Sequence, residues 1–178
     1  GKELEYAEPS ASEGKESVLK IQISTGEKSR VATEKAKKIC AVSENQMAVL
    51  HMECINEDEV IDNVGMSAVQ AKYWITLYDT EEGKKQWSSV PYTVSGYTIP
   101  ETLLLRDMEI NGELKKVLVV SVKDRIQLID AENGTVIREG IFREDIVNVV
   151  QADKRRLLVG LSDGSVMIGT VEDMSANM

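Results

Sequence analysis

Residues 74–87 (WITLYDTEEGKKQW) and 125–138 (RIQLIDAENGTVIR) carry one pattern: a strand-like run ending in Leu-x-Asp, three residues, a glycine, then a second strand-like run. Asp79 falls on Asp130 and Gly83 on Gly134, an offset of 51 residues. A degenerate copy, LKIQISTGEKSRV, occupies 19–31, with Gly26 at its turn. The segments 116–130 and 156–170 also align, offset by about 40 residues. The shared positions have a local purpose. An Asp carboxylate can accept hydrogen bonds from the backbone N–H groups of the turn behind it, and glycine supplies positive φ. These duties are architectural and predict no chemistry.

The texture around the repeats is that of strands. From Val18 onward, short runs rich in Val, Ile and Leu alternate with turn formers, and no helical spacing persists beyond about two turns. Asn111-Gly112 separates Leu103–Ile110 from Leu114–Val122, and Asn133-Gly134 separates Arg125–Asp130 from Thr135–Ile141. Asp163-Gly164 separates Arg156–Leu161 from Val166–Val171. Such pairs tolerate positive φ at both central positions of a tight hairpin turn. A helical reading would place glycine inside every element, at roughly 1 kcal/mol each. The earlier half predicts strands at Val18–Ser24, Ser29–Thr33, Lys38–Ser43, Met47–Ile55, Lys72–Asp79 and Lys84–Val90. Asn56–Gln70 and Ser88–Thr102 read as loops, and residues 1–17 as a flexible polar tail ahead of one domain at 18–178.

Periods of 40–50 residues with four short strands each are the signature of propeller blades. Two complete four-strand sets can be drawn, Lys38–Val90 and Leu103–Ile141, with three strands over Ile146–Val171 and a pair over Val18–Thr33. LYDTEEGKKQW resembles the PQQ-like (quinoprotein-like) β-propeller repeat, through Leu77, Asp79, Gly83, Lys84 and Trp87. The second copy keeps Leu128, Asp130, Ala131 and Gly134 but has Ile137 and Arg138 where the Trp would fall. WD-type blades share the hairpin texture, yet the chain contains no Trp-Asp or Gly-His pair. The resemblance implies an all-β fold, a partial β-propeller of roughly three to four antiparallel four-stranded blades. Its structural motif residues would be Asp79, Gly83, Trp87, Asp130, Gly134, Asp163 and Gly164, with Trp87 packed between adjacent blades. Because a closed propeller has four to eight blades, the chain is expected to be a fragment of a larger ring.

Charge and composition narrow the function classes. A net charge of −9 argues against a protein that tracks nucleic-acid phosphates or binds an anionic membrane surface. No apolar run approaches the ~20 residues of a membrane span, and the polar N-terminus shows no signal peptide. Cys40 and Cys54 are too few for a disulfide framework, which leans toward the cytoplasm, with a surface-exposed domain as the alternative. His51 is the only histidine. Alternation along 47–54 sets it with Met47 and Val49, opposite Cys54, so no zinc site is expected. The acidic stretch Asn56–Asp62 lacks the ordered spacing of a calcium loop. The adjacent cysteine pair and metal-ligating acids of quinoprotein dehydrogenases are not recognisable. No catalytic residue, metal or cofactor is therefore expected.

What remains is a non-enzymatic module for protein–protein interaction or scaffolding. Its partner would be another protein, or a second copy meeting it through the terminal blades. A ligand-sensing domain of a larger signalling protein is the second reading, and a quinoprotein-type enzyme the third. Pro91, Tyr92, Tyr97 and Pro100, on the expected Ser88–Thr102 loop, form the candidate contact patch.

Overall fold

The computed structural model describes residues 3–8, 17–22, 24–55, 70–95 and 101–176. They form an all-β protein of four antiparallel sheets, each a meander of consecutive strands. The first sheet holds β1 (Glu3–Glu8), β2 (Ser17–Gln22) and β3 (Lys28–Ala32), in that order. The second runs β4 (Ala36–Ser43), β5 (Gln46–Cys54), β6 (Gln70–Asp79) and β7 (Lys85–Ser88), with β8 (Tyr92–Ser95) also paired to β6. The third holds β9 (Thr102–Ile110), β10 (Glu113–Val122), β11 (Arg125–Asp130) and β12 (Val136–Ile141). A two-residue strand from the end of the described chain, labelled β16 (Ser175–Ala176), lies outside β12. The fourth consists of β13 (Ile146–Gln151), β14 (Arg156–Leu161) and β15 (Val166–Thr170). First strands of successive sheets are neighbours: β1 with β4, β4 with β9, and β9 with β13.

Period-two alternation decides how the sheets stack. On β5, Met47 and Val49 pack with Tyr78, Val18 and Val31 between the first and second sheets. Their alternates Ala48 and Leu50 pack with Tyr73, Ile75, Leu77, Leu118 and Val120 between the second and third. On β10, Val117 and Val119 face the other way and meet Val149, Leu157 and Val159 of the fourth sheet. Each central sheet is thus apolar on both faces. That is why the run VLVVSV of β10 contains no exposed position.

Several local features differ from the sequence expectation. Glu3–Glu8, inside the stretch read as a polar tail, pairs antiparallel with β2 from Glu3↔Gln22 to Glu8↔Ser17. Its sequence ELEYAE alternates, but the polar residues around it mask that signal when the window is averaged. Residues 9–16 of that stretch, and 56–69 of the acidic loop, lie outside the described residues. The expected Ser88–Thr102 loop contains β8, because four-residue β7 pairs with only Thr76–Tyr78 of the ten-residue β6. β8 takes up the remainder, from Gln70↔Ser95 to Tyr73↔Tyr92. Of the three glycine turns, only Asn111-Gly112 has both residues at positive φ, 53° and 78°. At Asn133-Gly134 and Asp163-Gly164 the glycine alone is left-handed. Those loops are longer, and one left-handed residue suffices to realign the returning strand.

Candidate functional site

The two aligned repeats make the same turn. After β6, Asp79 Oδ1 accepts from the N–H groups of Glu81 (2.8 Å) and Glu82 (2.9 Å). Gly83 N donates to Asp79 O (2.9 Å) and Asp79 N to Lys84 O (2.8 Å). After β11, Asp130 Oδ1 accepts from Glu132 N (2.8 Å). Gly134 N donates to Asp130 O (2.9 Å) and Asp130 N to Thr135 O (2.8 Å). Asp163 uses its carboxylate otherwise, accepting from the N–H (2.9 Å) and hydroxyl (2.6 Å) of Ser165, while Gly164 N donates to Leu161 O.

Trp87, half-buried on β7, joins one unit to the next. Its Nε1 donates to Ala131 O at 3.1 Å, across the boundary between the second and third sheets. Its ring covers Gly134 so closely that a Cβ there would lie 2.5 Å from Trp87 Cε3. The corresponding position one unit later is Arg138, which is buried but turns back into its own sheet. Its guanidinium donates to Ile137 O (2.8 Å) and Asn111 Oδ1 (2.9 Å). Among the described residues, no hydrogen bond carries the Arg138 side chain to the fourth sheet.

Between the third and fourth sheets lies a cleft of about 940 Å³. Its walls are largely apolar, with Ile126, Ile141 and Phe142 on one side and Leu157, Val159 and Met167 on the other. Glu139, Arg143, Glu144, Asp163 and Asp173 also line it. Glu139 is already matched: Arg125 stands 3.5 Å away and Gln127 Nε2 donates to it at 2.7 Å. Asp163 is held below the usual carboxylate range by the Ser165 side chain, and Asp173 by the side chain of Thr170. Both are ionised at neutral pH, so with Glu144 they leave three carboxylates facing one cation, Arg143. The volume falls at the upper end of the range for small-molecule pockets, about 300–1,000 Å³.

The candidate patch on residues 88–102 is not gathered on one surface by the described residues. Tyr92 is half-buried in β8, stacked on Tyr73 with ring centroids 6.1 Å apart, and Arg125 lies 5.0 Å above its ring. Burial pushes its phenol well above the ordinary range. Tyr73 Oη donates to the buried Glu101 (3.4 Å), which Lys37 approaches at 4.0 Å. Tyr92 therefore works in the packing between the second and third sheets. Pro91 is exposed. Tyr97 and Pro100 lie outside the described residues.

His51 is buried, with Nδ1 against Glu34 O, and its ring stacks on Trp74 at 4.8 Å and 11°. Cys40 and Cys54 are both half-buried. Among the described residues no group of three or more His, Cys, Asp or Glu side chains could hold a metal ion. No helix among them is long and apolar enough to cross a membrane.

Tyr78, beside His51, gives a pH prediction. Burial, and secondarily the charge of Glu34, push its phenol up to about 12 from an ordinary 10. The unfolded chain releases this proton at lower pH than the folded one. Stability from the neutral buried phenol is therefore full below about pH 10 and lost as pH rises through about 12. Urea midpoints between pH 8 and pH 12 should fall for the native chain and fall less for Tyr78→Phe; equal falls would contradict this.

The cleft is the feature that the sequence conceals, because its walls come from β11, β12, β14 and β15 together. One signal was readable: VMIGT (166–170) carries no charge, unlike the lysine-bearing β4 and β7. Comparison with known proteins finds no family model and no curated protein that matches this chain.

Proposed function

We propose that this chain is a run of β-propeller blades of the PQQ-like type that serves as a non-enzymatic protein-interaction or scaffolding module. Three features support the blade reading: consecutive-strand meanders, neighbouring first strands, and an Asp–Gly turn whose backbone bonds recur. Trp87, seated on the Gly134 turn of the next unit, supports the repeat type. The observation that carries the binding role is the apolar cleft with acidic residues between the third and fourth sheets. A layered frame with a groove suits recognition of a chain segment, and the frame is stiff where its second and third sheets are packed on both faces.

Selection of linear peptides from a displayed random library against the intact chain tests this role. A family of related sequences, binding in the micromolar range, is the expected result. No enriched family, together with a small molecule that raises the melting temperature, would overturn it in favour of ligand sensing.

A further inference from the structure

We propose that the edge of β15 is a docking site for an extended basic segment of a partner protein, which adds to the fourth sheet as its next strand and sets alternate side chains into the cleft. This rests on the interaction-module reading and gives it a place and a chemistry.

The edge follows from the ladder. Leu161 N donates to Ser165 O and Val171 N to Arg155 O, both at 2.9 Å. Residues 165, 167, 169 and 171 therefore turn their backbone groups toward β14, and Val166, Ile168 and Thr170 turn theirs outward. Thr170 N–H is taken by the Asp173 carboxylate at 3.2 Å. Among the described residues, no strand pairs with the outward side of Val166 and Ile168.

The side chains make this edge unusual. Val166, Met167 and Ile168 are 66%, 50% and 65% exposed. Natural sheets protect open edges with charge, proline or bulges. β7 carries Lys85 and β4 carries Lys37 and Lys38, whereas β15 has none of these devices. Rows run across the sheet toward the edge: Val149–Val159–Met167 on the cleft side, Val150–Leu158–Ile168 on the other. An added strand would extend both rows. Residues on its cleft side would meet Met167 from one direction and Ile141 and Phe142 from the other.

Charge chooses the occupant. Among the described residues that line the cleft, Arg143 is the cation set against Glu144, Asp163 and Asp173, and the chain as a whole carries −9. A second copy would bring its own excess of carboxylates to this edge, and a lysine- or arginine-bearing strand would neutralise them. Main-chain bonds would supply affinity, and the alternating pockets specificity.

The test uses the intact chain and two fluorescein-labelled heptapeptides, one alternating valine with lysine and one alternating valine with glutamate. Anisotropy should show saturable binding of the lysine peptide and binding about tenfold or more weaker for the glutamate peptide. Ile168→Pro removes one outward donor but no bond to β14, and should weaken the lysine peptide by about tenfold or more. Ile168→Lys keeps every backbone group and places a like charge on an exposed position. It should weaken binding similarly with the melting temperature unchanged. If both variants bind as the native chain does, the site is wrong, although the module reading survives. Equal binding of the two peptides, or of neither, overturns the proposal. So does a dimer in the peptide-free chain that Ile168→Pro dissociates, since the edge then belongs to a second copy. Failure of the peptide-library selection together with stabilisation by a small molecule, by contrast, would remove the module reading itself.

Discussion

Trp87→Ala is expected to destabilise the chain by about 3 kcal/mol, within the range for truncating a packed aromatic. The residue is only half-buried, but its loss acts at two points. It uncovers the Gly134 turn and leaves Ala131 O without the indole donor now 3.1 Å away. Trp87→Phe separates these contributions, because phenylalanine keeps a ring over Gly134 and offers no N–H. Its cost should be nearer 1 kcal/mol, the net worth of an ordinary hydrogen bond with some lost ring area. Urea denaturation monitored by far-UV circular dichroism gives both values. A cost below about 1 kcal/mol for Trp87→Ala would mean that the second and third sheets are held together without this side chain.

The strands are legible in the sequence wherever turn chemistry and alternation agree. Arg125–Asp130 is a strand with the bounds the sequence predicts, and Leu114–Val122 is extended by one residue, to Glu113. There Asn111-Gly112 and the left-handed Lys123 fix both ends of β10. β7 stops at Ser88 instead of Val90 for a reason outside its own sequence. Ser89 N–H still donates to Ile75 O, its register partner, but Ile75 N donates to the Ser89 hydroxyl instead of to a backbone carbonyl, and the ladder ends there. β8 is likewise invisible locally, since it exists only because β7 leaves half of β6 unpaired. The candidate site is less legible still. Tyr92 reads as a loop aromatic free for a partner, but its ring is held by Tyr73 and Arg125, which are distant in sequence. The cleft requires knowing that β12 and β15 lie across from one another. No window of sequence contains that.

Gly134→Ala is expected to cost about 2–5 kcal/mol, and Gly83→Ala only about 1–2 kcal/mol, although the two glycines hold the same place in the same turn. Both are left-handed, at φ +78° and +70°, so each substitution carries the strain of an L residue there. The difference lies in what stands opposite. Among the described residues nothing beyond its two chain neighbours approaches within 4 Å of a Cβ built on Gly83, whereas one on Gly134 would lie 2.5 Å and 2.8 Å from two atoms of the Trp87 ring. That ring is fixed by its bond to Ala131 O, so it cannot yield without giving up the contact across the sheets. The excess cost at Gly134 should therefore belong to the pair and not to the backbone. In a Trp87→Ala background the clash disappears, and Gly134→Ala should fall to the cost of Gly83→Ala. The double-mutant cycle would then return a coupling of about 1–3 kcal/mol. Equal costs at the two glycines in the native chain, or a Gly134 cost that persists without the indole, would show that the turn is strained for reasons unrelated to Trp87.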